Sequence, residues 1–429
     1  MNARKNSNPE PALLAWAMLA LLPAFAMVLL ARHEVSGAWE PRFYLPLGGY
    51  VITVLVLGLA LKLVRFRGDR VLLAAAVFLA GLGVVAQVRL GTLDVTAQLR
   101  WAHYAVPAGW ALMLVVLVVF RGGRTRLLFV GFHPAALLAV LVLGALLAAG
   151  RRYRGGVFLE GNINPIEVVK VLLVIYLAGL FTVYRKAFER PLLPGVPALE
   201  RGLVVSMTVC WLLPMALLVV LRDLGLMVLL NAVLLVMAVL ASGRWSYLVT
   251  GLLWVGGAGA LLIHFMPHGS HRVEVWLNPF ADPTGRGWQV LQGLSAMATG
   301  GWWGAGLGAG HPTAIPIAAS DFVYAALAEE LGYVGCVLVV AVYLLFFYRG
   351  FRLADSLRDP FAQSLASGLI TVLAVQTLLN VGGVTKALPL TGITLPFLSL
   401  GGSSLLISFV MLGLLLALSD AGQKKARPT

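Results

Sequence analysis

Twelve apolar runs, each long enough to cross a bilayer as a helix, leave this chain little else to fold into. They cover approximately residues 11–31, 45–64, 71–88, 103–120, 127–149, 165–184, 203–221, 224–242, 246–266, 322–348, 361–384 and 402–419. A helix needs about 20 apolar residues to cross the hydrocarbon core, where no backbone N–H or C=O can be left unpaired. With 60% hydrophobic and 12% charged residues, the composition excludes a water-soluble domain, which typically carries about 25% charge. The expected fold is all-α: a polytopic integral membrane protein of about twelve transmembrane helices.

The net charge of +14 would suit a nucleic-acid partner if the basic residues were gathered in one soluble region, but they are not. Of the 32 lysines and arginines, 20 lie at the termini and in the even-numbered loops, 11 lie in the odd-numbered loops, and Lys170 lies within a span. By the positive-inside rule, both termini are expected in the cytoplasm. Clusters such as Lys62, Arg65, Arg67, Arg70 and Arg121, Arg124, Arg126 then face anionic lipid head groups, and no nucleic acid is required. The two cysteines, Cys210 and Cys336, fall in separate spans, so neither a structural disulfide nor a cysteine metal site is expected. Arg4 and Lys5 precede a full-length apolar run without a small-residue cleavage site, which reads as a retained anchor.

Residues 1–66 form an accessory transmembrane hairpin with Glu34, Trp39 and Arg42 in its outer loop; residues 67–420 form the core, and 421–429 a basic cytoplasmic tail. Pro191, Pro194 and Pro197 exclude a continuous helix between the sixth and seventh spans. The extended hydrophilic segment, 267–321, follows the ninth span and faces outward by the charge argument. Its glycine-rich stretch GLSAMATGGWWGAGLGAG, from Gly293, reads as backbone dipping into the membrane interface, which requires a cover of protein or a wet cavity.

A few polar residues stand out against this background. Glu167 and Lys170 are three apart near the start of a span, so they share a helix face, either as an ion pair locking two helices or as substrate contacts. Asp223 follows Arg222 between two spans and is open to the same two readings, since a carboxylate also suits a helix start. Asp321 opens the tenth span after Ser320. Its local sequence is that of an N-cap, whereas its place beside the polar loop makes it a functional candidate. His264, His268, His271 and Glu274 have spacings that invite zinc, but Pro267 breaks the helix needed to align them, and they read as interfacial polar residues.

Taken together, the segments INPIEVVK from Ile163, RDLG from Arg222, VEVWLNPFADPTGRGWQVLQ from Val273, WGAGLG from Trp303, IPIAASDFVYAALAEELGYVG from Ile315 and NVGGVTKALPLTGITLPFLSLGGSSLL from Asn380 resemble the SEDS family (shape, elongation, division and sporulation). These are the peptidoglycan glycosyltransferases of RodA and FtsW type. The resemblance runs from about Val71 to Ser419, and family members usually have ten spans, so the first two here are an addition that some relatives share. It implies an enzyme of the bacterial cytoplasmic membrane that polymerises lipid II at the outer face and releases undecaprenyl pyrophosphate, with a class B penicillin-binding protein as transpeptidase partner. Asp321 matches the family's essential acidic residue, proposed to deprotonate the acceptor's 4-hydroxyl. Arg272 and Lys386, flanking motif segments, are the first cations to suit the pyrophosphate, with Lys170 and Arg286 behind them. Asn278, Asp282, Gln289, Glu167 and Lys170 complete the implied substrate-binding set. A divalent cation, Mg or Mn, on Asp282 or Asp321 is a further option for neutralising the pyrophosphate.

The chain departs from the family pattern at Ile166, Ile317, Ala319, Ser320 and Leu400, so roles that rest on the usual Ser, Glu, His, Thr and Tyr there do not carry over. Two other classes compete with the enzyme. One is a transporter or flippase of a lipid-linked precursor, which would show two similar halves and a midplane site; the other is a catalytically silent scaffold for a transpeptidase. Retention of Asp321, Asn278, Pro279 and Asp282 favours the enzyme.

Overall fold

A computed structural model describes residues 10–37, 41–93, 102–153, 156–158, 164–265 and 267–426; Trp39 and the side chains of His264 and His268 lie outside the described set. The long helices are α1 (Glu10–Ser36), α2 (Pro41–Leu63), α3 (Arg70–Arg89), α4 (Ala102–Phe120), α5 (Phe132–Ala149), α6 (Ile166–Val183), α7 (Arg201–Leu221), α8 (Leu224–Ser242) and α9 (Ser246–Phe265). They are followed by α10 (Pro267–Leu277), α11 (Trp288–Gly300), α12 (Val323–Ser356), α13 (Pro360–Val384) and α14 (Ser403–Ala426). Eleven of these are long and apolar enough over described residues to cross a membrane, and α9, with 20 residues, occupies the place of the expected ninth span. A two-stranded antiparallel hairpin, β1 (Arg151–Tyr153) and β2 (Gly156–Phe158), departs from the all-α pattern.

Helix starts follow from local chemistry. The Asp69 carboxylate accepts from Leu72 N at 2.9 Å and Asp223 from Leu226 N at 2.9 Å, while Asp359 accepts from Phe361 N at 3.2 Å with Pro360 at the first helical position. Each satisfies an N–H that the helix itself cannot pair. The bundle has an inside and an outside. The apolar window of α3 is 89% buried and those of α13 and α14 are 78% buried, against 17% for α1 and 28% for α2. The peripheral helices therefore leave apolar side chains such as Leu55 and Leu59 exposed, as lipid contact demands. The N-terminal hairpin is nevertheless docked on the core: α1 packs along α3, and Arg32 Nη2 donates to Val88 O and Arg89 O, each at 2.8 Å.

The glycine-rich stretch from Gly293 is only partly irregular: its first part, GLSAMATG, completes α11, because leucine, alanine and methionine favour helix until the glycines accumulate. Gly301, Gly304, Gly306 and Gly308 then adopt φ of 53°, 81°, 100° and 98°, values readily open only to glycine. The expected tenth span is present as α12, and it breaks at Gly332, with φ 67° and ψ −172°. The glycine loop repairs the break: Tyr333 N donates to Gly301 O at 2.8 Å and Val334 N to Trp302 O at 3.1 Å, while Ala305 N reaches Glu329 O at 2.9 Å. A broken helix survives at membrane depth only when protein re-satisfies its backbone in this way.

The basic-residue asymmetry and this architecture together predict the orientation. Gly195, with φ +80° and packed against Thr250, has no room for a side chain, whereas Leu193 is 61% exposed in the same loop and Thr284 is exposed in the 267–321 segment. A cysteine at Thr284 is expected to react with an impermeant thiol reagent on intact cells, and one at Leu193 only after permeabilisation. The opposite labelling pattern would overturn the orientation.

Candidate active site

A cavity of about 720 Å³ opens where the start of α6, the α7–α8 turn, α10, α11, the turn before α12 and the α13–α14 connection converge. Its lining contains Lys170, Arg222, Arg272, Arg286 and Lys386 as cations and Glu167, Asp223 and Asp321 as carboxylates. Of the nine residues that the family resemblance implicates, Asp321, Arg272, Arg286, Gln289, Lys386, Glu167 and Lys170 line it together. Asn278 and Asp282 do not. Asn278 Oδ1 accepts from Phe280 N at 3.2 Å, and the Asp282 carboxylate accepts from Gly285 N and Arg286 N, each at 3.0 Å. Their short polar side chains close the turn between α10 and α11, as Asx residues commonly do, and so aim Arg286 and Gln289. Among the described residues no group of three or more His, Cys, Asp and Glu is arranged as metal ligands.

Asp321 is not the N-cap that its sequence suggests. The capping position of α12 falls to Phe322 without any side-chain bond, which leaves the Asp321 carboxylate to the cavity. Burial raises its pKa to about 6, while the Ser320 hydroxyl and the Arg272 guanidinium oppose the rise. Asp321 Oδ2 and Arg272 Nη2 lie 3.8 and 3.9 Å from the point where a side chain on Gly392 would begin. Gly392, at φ +74°, adopts a backbone conformation that favours glycine beside both charges. Arg272 is oriented by a 2.7 Å bond from Nη1 to Thr391 O.

The opposite wall is an interlocked polar group. Lys170 pairs with Glu167 and donates to Gln376 Oε1 at 3.1 Å. Gln376 Nε2 in turn reaches Thr394 O at 2.9 Å. The pair therefore ties α6 to α13 and to the chain before α14, and both members also face the cavity, so the two sequence readings coexist. Asp223 likewise caps α8 and lines the cavity. Its pKa is raised by burial and by Glu167, against the Leu226 N–H, Arg272 and Lys170. The backbone is strained at the same place: Arg222, Ile317 and Lys386 have φ of 62°, 56° and 61° and all three line the cavity. Such conformations concentrate at functional sites. Sequence reasoning did not include Arg222, Trp276 and Thr391 among the site residues, although all three lie within the quoted motif segments and line the cavity.

Comparisons with known proteins point the same way. Residues 51–424 match the cell cycle protein family of FtsW, RodA and SpoVE. Peptidoglycan glycosyltransferase RodA of Mycobacterium tuberculosis is 34% identical along 98% of this chain and 92% of that protein. Stage V sporulation protein E of Bacillus subtilis is 32% identical along 75% of this chain and 86% of its own. A solved chain from a peptidoglycan synthase complex, described as coordinating polymerization and crosslinking, superposes with TM-score 0.64 at 26% identity, over 82% of this chain and 98% of that one.

A carboxylate whose folded pKa lies above its ordinary value adds stability at low pH and loses that contribution as pH rises through the folded value, here about 6. Ionised Asp321 therefore costs the fold roughly 1 to 3 kcal/mol at neutral pH. Asp321→Asn, which keeps the shape without the charge, is expected to unfold at higher temperature than the parent at pH 8 in detergent, with the gap closing below about pH 4. A variant less stable than the parent at pH 8 would return Asp321 to a structural role.

Proposed function

The chain belongs to the FtsW, RodA and SpoVE family of peptidoglycan glycosyltransferases, multi-pass proteins of the bacterial cytoplasmic membrane, and we propose that its reaction is the polymerisation of lipid II into glycan strands at the outer face. The observation that carries this reading is the pairing of one half-buried carboxylate that caps no helix with an excess of cations in a single cavity. In the proposed step the Asp321 carboxylate accepts the proton of the acceptor sugar's 4-hydroxyl as that oxygen bonds to the donor's anomeric carbon. The bond from that carbon to the pyrophosphate oxygen breaks, and undecaprenyl pyrophosphate leaves. A base works best with a pKa near the working pH, and about 6 is closer to that optimum than an ordinary aspartate. Arg272 and Lys386, with Arg286 and Lys170, stabilise the charge that accumulates on the departing diphosphate. Gln289 and Glu167 provide hydrogen-bonding groups for the sugars or peptide.

The altered family positions are compatible with this assignment. What the fold uses at Ala319 is the carbonyl, which accepts from Leu400 N at 2.9 Å, so loss of a side chain there leaves the anchor in place. Residues 1–66 act as an accessory hairpin on the 67–420 core. The partner is a class B penicillin-binding protein, since a polymer must be cross-linked to bear load; a relative with this fold was solved as part of a complex that coordinates polymerization and crosslinking.

Purified protein supplied with lipid II is expected to form glycan polymer, and Asp321→Asn at equal protein level to lose about 100- to 10,000-fold in rate, the usual worth of general-base assistance. Activity of that variant within a few-fold of the parent would overturn the assignment. Affinity isolation from native membranes is expected to recover a transpeptidase, and repeated recovery of none would remove the partner.

A further inference from the structure

The backbone that carries Asp321 is not helical, and although Ile315 O, Ile317 O and Phe322 O are paired locally, the carbonyls of Ala319, Ser320 and Asp321 find their partners elsewhere. Three successive carbonyls find them on side chains from different parts of the chain. Ala319 O accepts from Gln87 Nε2 of α3 at 2.9 Å, Ser320 O from Ser399 Oγ at 2.5 Å, and Asp321 O from Asn380 Nδ2 of α13 at 2.9 Å. Gln87, Ser399 and Asn380 are 4%, 3% and 2% exposed. Each donor is itself oriented: the Thr92 hydroxyl donates to Gln87 Oε1 at 2.7 Å, and Leu395 N donates to Ser399 Oγ at 2.9 Å. Asn380 Nδ2 also donates to Ile393 O at 2.7 Å.

That last bond gives Asn380 a particular position. Ile393 follows Gly392 and Thr391, and Thr391 O holds Arg272. One buried amide therefore grips both the residue that bears the carboxylate and the segment that orients the guanidinium facing it. We propose that Asn380, with Gln87 and Ser399, is a positioning residue for glycosyl transfer, holding the main chain through Asp321 at a fixed distance and angle from Arg272. The inference rests on the assignment of Asp321 as the base. Pairing of buried carbonyls is a structural need that any donor could meet; a positioning role adds that the chemical step slows when the donors are removed, even where the fold and substrate binding persist.

Thr371 supplies the comparison, because it lies on the same helix, is 1% exposed, and bonds only within its own helix, to Ser367 O at 2.6 Å. The experiment measures lipid II polymerisation by full-length Gln87→Met, Ser399→Ala, Asn380→Leu, Thr371→Val and Asp321→Asn, with thermal unfolding used to match the amount of folded protein. Misplacement by about 1 Å costs of the order of 100-fold in rate, so partial loosening is expected to lower kcat by about 10-fold in Asn380→Leu and several-fold in the other two. KM is expected to stay within about twofold, and Thr371→Val to match the parent. Should Asn380→Leu not fold, Gln87→Met and Ser399→Ala decide the matter. Parent-like kcat in the donor variants alongside an inactive Asp321→Asn would overturn this inference alone, as would an equal loss in Thr371→Val. An active Asp321→Asn would overturn the assignment of the base, and the inference with it.

Discussion

Non-helical backbone inside a membrane bundle persists only where protein groups pair its N–H and C=O, and the whole site depends on that constraint being met twice. At the first place, the glycine loop after α11 supplies the carbonyls that the break at Gly332 deprives α12 of. At the second, Gln87, Ser399 and Asn380 pair the carbonyls of the turn that leads into α12. Between these two repairs lies a half-helix, and Asp321 sits just before its start. The helix starts one residue too late for Asp321 to cap it, and the turn, held through its carbonyls, leaves the Asp321 carboxylate to the cavity.

The electrostatics follow from the same arrangement. Burial makes Asp321 a stronger base than a surface aspartate, but a carboxylate buried too well would stay protonated and useless at neutral pH. The Ser320 hydroxyl and the Arg272 guanidinium limit the rise. The surrounding cations exceed the carboxylates, which suits a leaving group that departs as a diphosphate. Glu167 offsets part of the Lys170 charge, so the field in the cavity comes chiefly from Arg272, Arg286, Arg222 and Lys386, with a smaller share from Lys170.

The spans were legible because membrane helices are written in long apolar runs, and the motif segments carried the family and most of the lining residues. What composition hid was local. The break at Gly332 depends on a loop some 30 residues away in sequence that can offer Gly301 O and Trp302 O, and no pattern within the span announces it. Asn278 and Asp282 look like chemistry because they are polar in an apolar protein, yet their side chains are used within one turn. Asn380, Gln87 and Ser399 look unremarkable because what they recognise is backbone, which leaves no signature in the sequence of the recognised segment.

The central claim is that the half-buried Asp321 carboxylate serves as the base for glycosyl transfer, and the pH dependence of kcat/KM tests it most directly. With the base at a pKa of about 6, kcat/KM for lipid II should be level above neutral pH and fall about tenfold per pH unit below 6. An acid limb confined to pH 4 and below, where an ordinary exposed aspartate titrates, would contradict the account.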